Sequence, residues 1–146
     1  MRATQQVRYA IYGMFDLAYH GGSRALPLAE LGRRQAIPTR YLEQIFQKLR
    51  RAGLVTSKRG PGGGYRLARR PEQISLCDVV RAVQGSVLTL SQLEKERSAQ
   101  SPDFVWPLIR AGVERALAEH SVADLCREAA ARGVSRAALD PASYEI

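Results

Sequence analysis

The sequence predicts a mainly α-helical protein carrying one small β-hairpin. Three observations lead there. Apolar residues recur at three- and four-residue spacing along most of the 146 residues. One stretch, SKRGPGGGYRL at 57–67, packs four glycines and a proline between strand-forming residues. Two Ser-x-x-Asp patterns, at Ser75 and Ser121, mark helix starts in the second half.

The elements follow in order. Residues 4–20 place Val7, Ala10, Ile11, Met14 and Ala18 on one helical stripe, and Gly21 and Gly22 end it. A short second helix spans 27–35, with Pro27 at its start and Leu28 and Leu31 as its apolar contacts. A third helix, TRYLEQIFQKLRR at 39–51, buries Leu42, Ile45, Phe46 and Leu49, and Gly53 closes it. Arg40, Glu43, Gln44, Gln47 and Lys48 are left on its other faces. Arginine suits guanine and glutamine suits adenine in the major groove, so this face is more than an ordinary solvated surface.

LVTSK and YRLA then bracket the glycines as two short strands, which makes the stretch a hairpin loop. It is not a phosphate cradle. A P-loop needs Lys and Ser or Thr directly after its second glycine, whereas Gly64 precedes Tyr65, Arg66 and Leu67. The dinucleotide pattern also fails, because its last glycine would fall on Tyr65 or Leu67. Helix, helix, turn, helix, hairpin is the order of a winged helix–turn–helix, whose third helix enters the major groove. Little side-chain bulk at Gly60 and Gly62 would let backbone N–H groups approach phosphates. Arg59 at the tip suits a narrow minor groove, and Lys58 suits a phosphate.

In the second half, Ser75 and Asp78 form a capping box, with Ile74 and Val79 as a hydrophobic staple, and Gly85 ends that helix. Residues 86–103 read as a loop with at most a short helical turn. A long helix follows at 104–120, with Pro107 in its first turns and Ile109, Val113, Ala116 and Leu117 as its stripe. A last helix starts at a second capping box, Ser121 and Asp124, and ends at Gly133. The tail from Val134 onward is expected to fray.

Composition narrows the function. Residues 1–70 hold 14 Lys and Arg against 3 acids, while residues 71–146 hold 8 against 11. That asymmetry within a net charge of +8 points to a polyanion partner for the first half. No apolar run approaches the ~20 residues that cross a bilayer. The opening residues lack the apolar core of a signal peptide, so a cytoplasmic protein without a membrane partner is expected. Two cysteines, Cys77 and Cys126, with no CxxC, argue against a disulfide framework or structural zinc. Cys77, second in a capped helix, is a possible redox thiol, although a small buried apolar role is the favoured reading. Cys126 is assigned to packing. His20 and His120 end helices and are too far apart to suggest a metal site. No nucleophile–base pair, carboxylate pair or cofactor loop suggests an enzyme.

VRYAIYGMFDLA, PTRYLEQIFQKLRRAGLV, SKRGPGGGYRLAR and ISLCDVVRAVQG together resemble the Rrf-two family of bacterial transcription regulators, over roughly residues 1–130. The resemblance implies a homodimer on a pseudo-palindromic operator of double-stranded DNA, most often as a repressor. It implies a winged helix–turn–helix at 1–84, a connecting loop at 85–103, dimerisation helices at 104–133 and a tail at 134–146. Trp106, Ile109, Val113 and Leu117 are assigned to the dimer. Tyr41, Glu43 and Gln44 fall where the family's third helix meets the groove, and Arg59 falls where the wing enters the minor groove. Arg40 stands where relatives often carry a small hydroxyl residue, and Pro38 replaces a usual capping residue. Cluster-binding relatives carry three cysteines in the connecting loop, and this loop has none. An iron–sulfur cluster is therefore not expected, nor any other cofactor. The alternative function is a winged-helix interaction module controlled by a partner protein. Arg59 at the wing tip and Gln44 on the third helix weigh against it, because such a module needs neither.

Overall fold

A computed structural model describes residues 1–85 and 98–137 of the chain. Helix α1 spans Ala3–Asp16 and runs on into a π-turn, Leu17–Gly21. Helix α2 spans Leu28–Gln35 and α3 spans Thr39–Arg51. Strands β1 (Val55–Lys58) and β2 (Gly64–Leu67) pair antiparallel, with Val55 opposite Leu67 and Lys58 opposite Gly64. A 3-10 turn at Pro71–Gln73 leads to α4, Leu76–Gln84. Helices α5 (Val105–Ala118) and α6 (Val122–Ala131) complete the described part. The fold is thus mainly α with one hairpin.

Local chemistry explains most of these boundaries. Both capping boxes form. Ser75 Oγ accepts from Asp78 N at 3.0 Å, and the Asp78 carboxylate accepts from Ser75 N at 3.0 Å. Ser121 and Asp124 repeat the exchange at 3.1 and 2.8 Å. The two helix starts lie side by side: Leu76 N donates to His120 O, and Val122 N donates to Ile74 O, each at 2.8 Å. Helix α3 ends in a Schellman motif, with Gly53 N bonded to Arg50 O and Leu54 N to Leu49 O. Gly133 and Val134 close α6 in the same way.

The core gathers α1, α3 and α4 and draws in the hairpin and α6. Met14, Leu31, Leu42, Ile45, Phe46, Leu49, Ile74, Val79 and Val122 are fully buried. The apolar stripe of α3 turns inward as the spacing predicts.

Four features differ from the sequence reading. The first helix does not continue uniformly to residue 20, because its last turn widens to π geometry. Pro27 is the N-cap of α2 rather than its first residue. Helix α5 is three residues shorter than the 104–120 expected, with none of its residues buried. Residues 134–137 do not fray: Tyr19 Oη donates to Val134 O at 2.5 Å, Ala137 N donates to His20 Nδ1 at 2.7 Å, and the Arg136 guanidinium lies over the Tyr19 ring. The helical turn within 86–97 and the tail beyond residue 137 fall outside the described residues. No helix among the described residues is long and apolar enough to cross a membrane.

Candidate nucleic-acid interface

Burying Leu42, Ile45, Phe46 and Leu49 forces the opposite side of α3 outward. Arg40, Glu43, Gln44 and Gln47 share that exposed face at three- and four-residue spacing. Tyr41 and Lys48 flank it, half-buried. Lys48 is held: its amine donates to Gln6 Oε1 of α1 at 2.7 Å. The Tyr9 and Tyr41 rings stack between the same two helices, with centroids 6.2 Å apart. These contacts fix α3 against the start of α1.

The hairpin is fixed as firmly. Tyr65 packs on Phe46 with centroids 5.0 Å apart. Leu26 and Tyr65 exchange backbone hydrogen bonds at 2.8 and 2.9 Å, so the segment before α2 acts as a short third partner to β2. The loop glycines serve two purposes. Gly60 and Gly62 have φ of 88° and 71°, which the turn requires. Gly63 and Gly64 are set by space: a Cβ on Gly63 would meet Lys58 O at 2.4 Å, and one on Gly64 would meet Leu26 O at 2.2 Å. The sequence reading singled out Gly60 and Gly62. The exclusion of bulk by the backbone falls on the next two. Lys58, Arg59, Gly60 and Gly62 are exposed.

A polar anchor, which no spacing in the sequence points to, joins α1 and α2. Asp16, fully buried at the end of α1, accepts from Arg34 Nη2 at 2.7 Å, Arg34 Nε at 3.1 Å and Gln35 Nε2 at 2.9 Å. Arg34 also donates to Glu30 at 2.8 Å. These bonds to Asp16 hold the Arg34 guanidinium above its ordinary pKa despite burial. Burial pushes the Glu30 carboxyl up, but the Arg34 bond and the charges of Arg24 and Arg34 outweigh it and leave it lowered. The anchor locks α2, the first helix of the helix–turn–helix, onto α1.

The remaining sequence candidates lie elsewhere. On α5, Phe104, Leu108 and Ile109 are 74%, 66% and 40% exposed around the helix start. Trp106, Val113 and Leu117 are half-buried. Cys77 is buried on α4 and Cys126 is half-buried on α6. Burial raises the Cys126 thiol pKa, against the pull of Arg136 and Arg127. No three His, Cys, Asp or Glu converge among the described residues.

Known proteins share this arrangement. The family model described as "Iron-dependent Transcriptional regulator", Rrf2, matches residues 3–128. The HTH-type transcriptional regulator IscR of Aliivibrio salmonicida is 51% identical over 87 residues, which is 60% of this chain and 52% of that protein. The chain thus matches about half the length of that relative. The ORF2 protein of Azotobacter vinelandii, named in the same HTH-type class, is 40% identical over 130 residues, covering 86% of this chain and 79% of its own. Among solved structures, T. potens IscR superposes with a TM-score of 0.75 at 31% identity over 94% of both chains. CymR, the global cysteine regulator of B. subtilis, gives 0.72 at 32% identity over 88% of this chain and 98% of its own. With the helix–turn–helix, the pinned hairpin and a family match over nearly the whole described length, the chain belongs to the Rrf2 family of transcriptional regulators.

Proposed function

We propose that the chain is a homodimeric, sequence-specific DNA-binding repressor of transcription that works in the cytoplasm. The observation that carries this reading is the single exposed face of α3, Arg40, Glu43, Gln44 and Gln47, in a half of the chain that is strongly basic. In this reading α3 lies in the major groove and meets base edges through those four residues and Tyr41. The wing reaches the minor groove with Arg59, while Lys58, Lys48 and the backbone at Gly60 and Gly62 meet phosphates. Lys48 spends one of its three N–H donors on Gln6 and keeps the others for a phosphate.

Residues 1–84 form the DNA-binding part in this assignment. Residues 85–103 connect it to dimerisation helices at 104–133, and 134–146 form the tail. The exposed apolar residues of α5 support pairing with a second copy through Trp106, Ile109, Val113 and Leu117. A symmetric dimer would read a pseudo-palindromic operator.

The family is described as iron-dependent. The donor set of this chain does not fit a cluster held by three thiolates of one subunit, because the whole sequence carries two cysteines, one buried in α4 and the other half-buried in α6. The proposed regulator therefore binds its operator without a cluster, and Cys77 serves packing rather than redox chemistry.

Selection of fragmented genomic DNA on the purified protein tests the reading. One palindromic motif should be enriched, and Arg59→Ala should weaken binding to it by about 1–3 kcal/mol. Affinity should fall steeply with salt, as counterion release demands. Recovery of one stoichiometric protein in a pull-down, with no DNA motif enriched, would favour the partner-protein alternative instead.

A further inference from the structure

Four side chains from two helices form a continuous array at the leading edge of the exposed α3 face. Gln5 Nε2 donates to Tyr9 Oη at 3.1 Å. The Tyr9 ring stacks on Tyr41 with an interplanar angle of 23°. The Arg40 guanidinium lies over the Tyr41 ring, 4.8 Å from its centroid. Arg40 Nη2 also donates to Tyr41 Oη at 3.0 Å.

Arg40 is exposed, second in α3, and the described ion pairs do not include it. An exposed arginine without a carboxylate partner ordinarily spreads over many rotamers, and binding must then order it at an entropic cost. Here the ring and the hydroxyl of its neighbour hold it beforehand. The hydrogen bond occupies one of five N–H donors, so a forked pair remains for an outside acceptor. In the major groove, the acceptors that match a guanidinium fork are O6 and N7 of guanine. Tyr9 and Tyr41 pack against the core, whereas Arg40 and Gln5 are not part of it.

We propose that Arg40 reads a guanine at one fixed position of each operator half-site, and that Tyr41, braced from α1 by Tyr9 and Gln5, positions it. The inference rests on the DNA-binding reading above. It makes the start of α1, which packs on α3 through Tyr9, a determinant of sequence preference. At this guanine Tyr41 acts as the positioning residue for Arg40, whatever other contact it makes in the groove.

The test is base-resolved binding of randomised DNA by the full chain and by Arg40→Lys, Tyr41→Phe, Tyr41→Leu and the Arg40→Lys/Tyr41→Leu double variant. Thermal melts confirm that each folds. Wild type should discriminate for guanine at one half-site position by about ten- to hundredfold. Arg40→Lys, which keeps the charge but loses the planar fork and the ring contact, should weaken that preference and leave the other positions intact. Tyr41→Leu should relax the same position and add nothing in the Arg40→Lys background, with Tyr41→Phe intermediate. Unchanged base preferences in Arg40→Lys would overturn the inference while the DNA reading stands. Uniform weakening by Tyr41→Leu, with every preference kept, would mark a phosphate contact and overturn the positioning role. A wild-type protein that enriches no motif would sink the DNA reading itself, and this inference with it.

Discussion

Helices α3 and α5 are of nearly equal length, 13 and 14 residues, and both present a broad face to solvent. Their faces are opposite in kind. Helix α3 finds apolar partners for Leu42, Ile45, Phe46 and Leu49 inside its own chain and shows solvent amides and charges. Helix α5 buries no residue and shows solvent Phe104, Leu108 and Ile109. It is tied to α4 through packing and the Arg81–Glu114 ion pair at 3.2 Å. A face like that of α3 is stable in water and waits for a polar partner. A face like that of α5 is short of an apolar complement, which the chain itself does not provide among the described residues.

Substitution should separate the two helices sharply. Phe46→Ala empties the centre of the core and should cost about 3–5 kcal/mol, read by chemical denaturation. Leu108→Glu on α5 should leave the stability of a single chain within about 0.5 kcal/mol. It should instead shift sedimentation toward the monomer. A Leu108→Glu protein that stays dimeric would break the comparison, because α5 would then not be the face that seeks a second copy.

A smaller effect probes where the two regions join. Helices α4 and α6 start side by side, each behind its own capping box, and Val122 of α6 lies in the common core. Ser121→Ala removes one cap and should cost about 1 kcal/mol. If the loss appears in global unfolding, α6 belongs to the same cooperative unit as α3. If it appears only as local hydrogen exchange near residue 121, the second half unfolds separately.

The smallest effect concerns acidity. His20 sits between Asp16, 4.0 Å from its Nε2, and the Ala137 amide on its Nδ1. Burial lowers its pKa below the ordinary 6.5, and the Arg34 and Arg136 charges add to this, while Asp16 and Glu30 pull the other way. Folding therefore favours the neutral ring. That share of stability is present above pH 6.5 and fades as the pH falls through the range below it. The thermal midpoint of the wild type should drop across this window more than that of His20→Gln. Equal slopes would show that the ring is not selectively neutral in the fold.

What the sequence made legible is local. The span of α3, its buried stripe and both capping boxes depend on residues three or four apart. The features that escaped depend on distance along the chain. Asp16 meets Arg34 and Gln35 across 18 and 19 residues, and Tyr19 meets Val134 across 115. No periodicity encodes such pairs. The site was legible in the same measure. The exposed residues of α3 follow from its buried ones, but Lys48 reads as one more free cation until Gln6 is placed beside it. Arg40 reads as a base-contact candidate from the sequence, but that Tyr41 lies under it and Tyr9 stacks on Tyr41 needs the fold. The glycines were legible as a turn, yet spacing alone does not say that the backbone of Leu26 runs against Gly64.

That last approach limits how the wing can change over time. At Gly60 and Gly62 the backbone angles penalise most replacements, and at Gly63 and Gly64 neighbouring atoms leave no room for one. The side chains open to exchange in the loop are Lys58, Arg59 and Pro61. A lineage can change those three positions one at a time, while the angle at which the hairpin leaves the body is inherited unchanged.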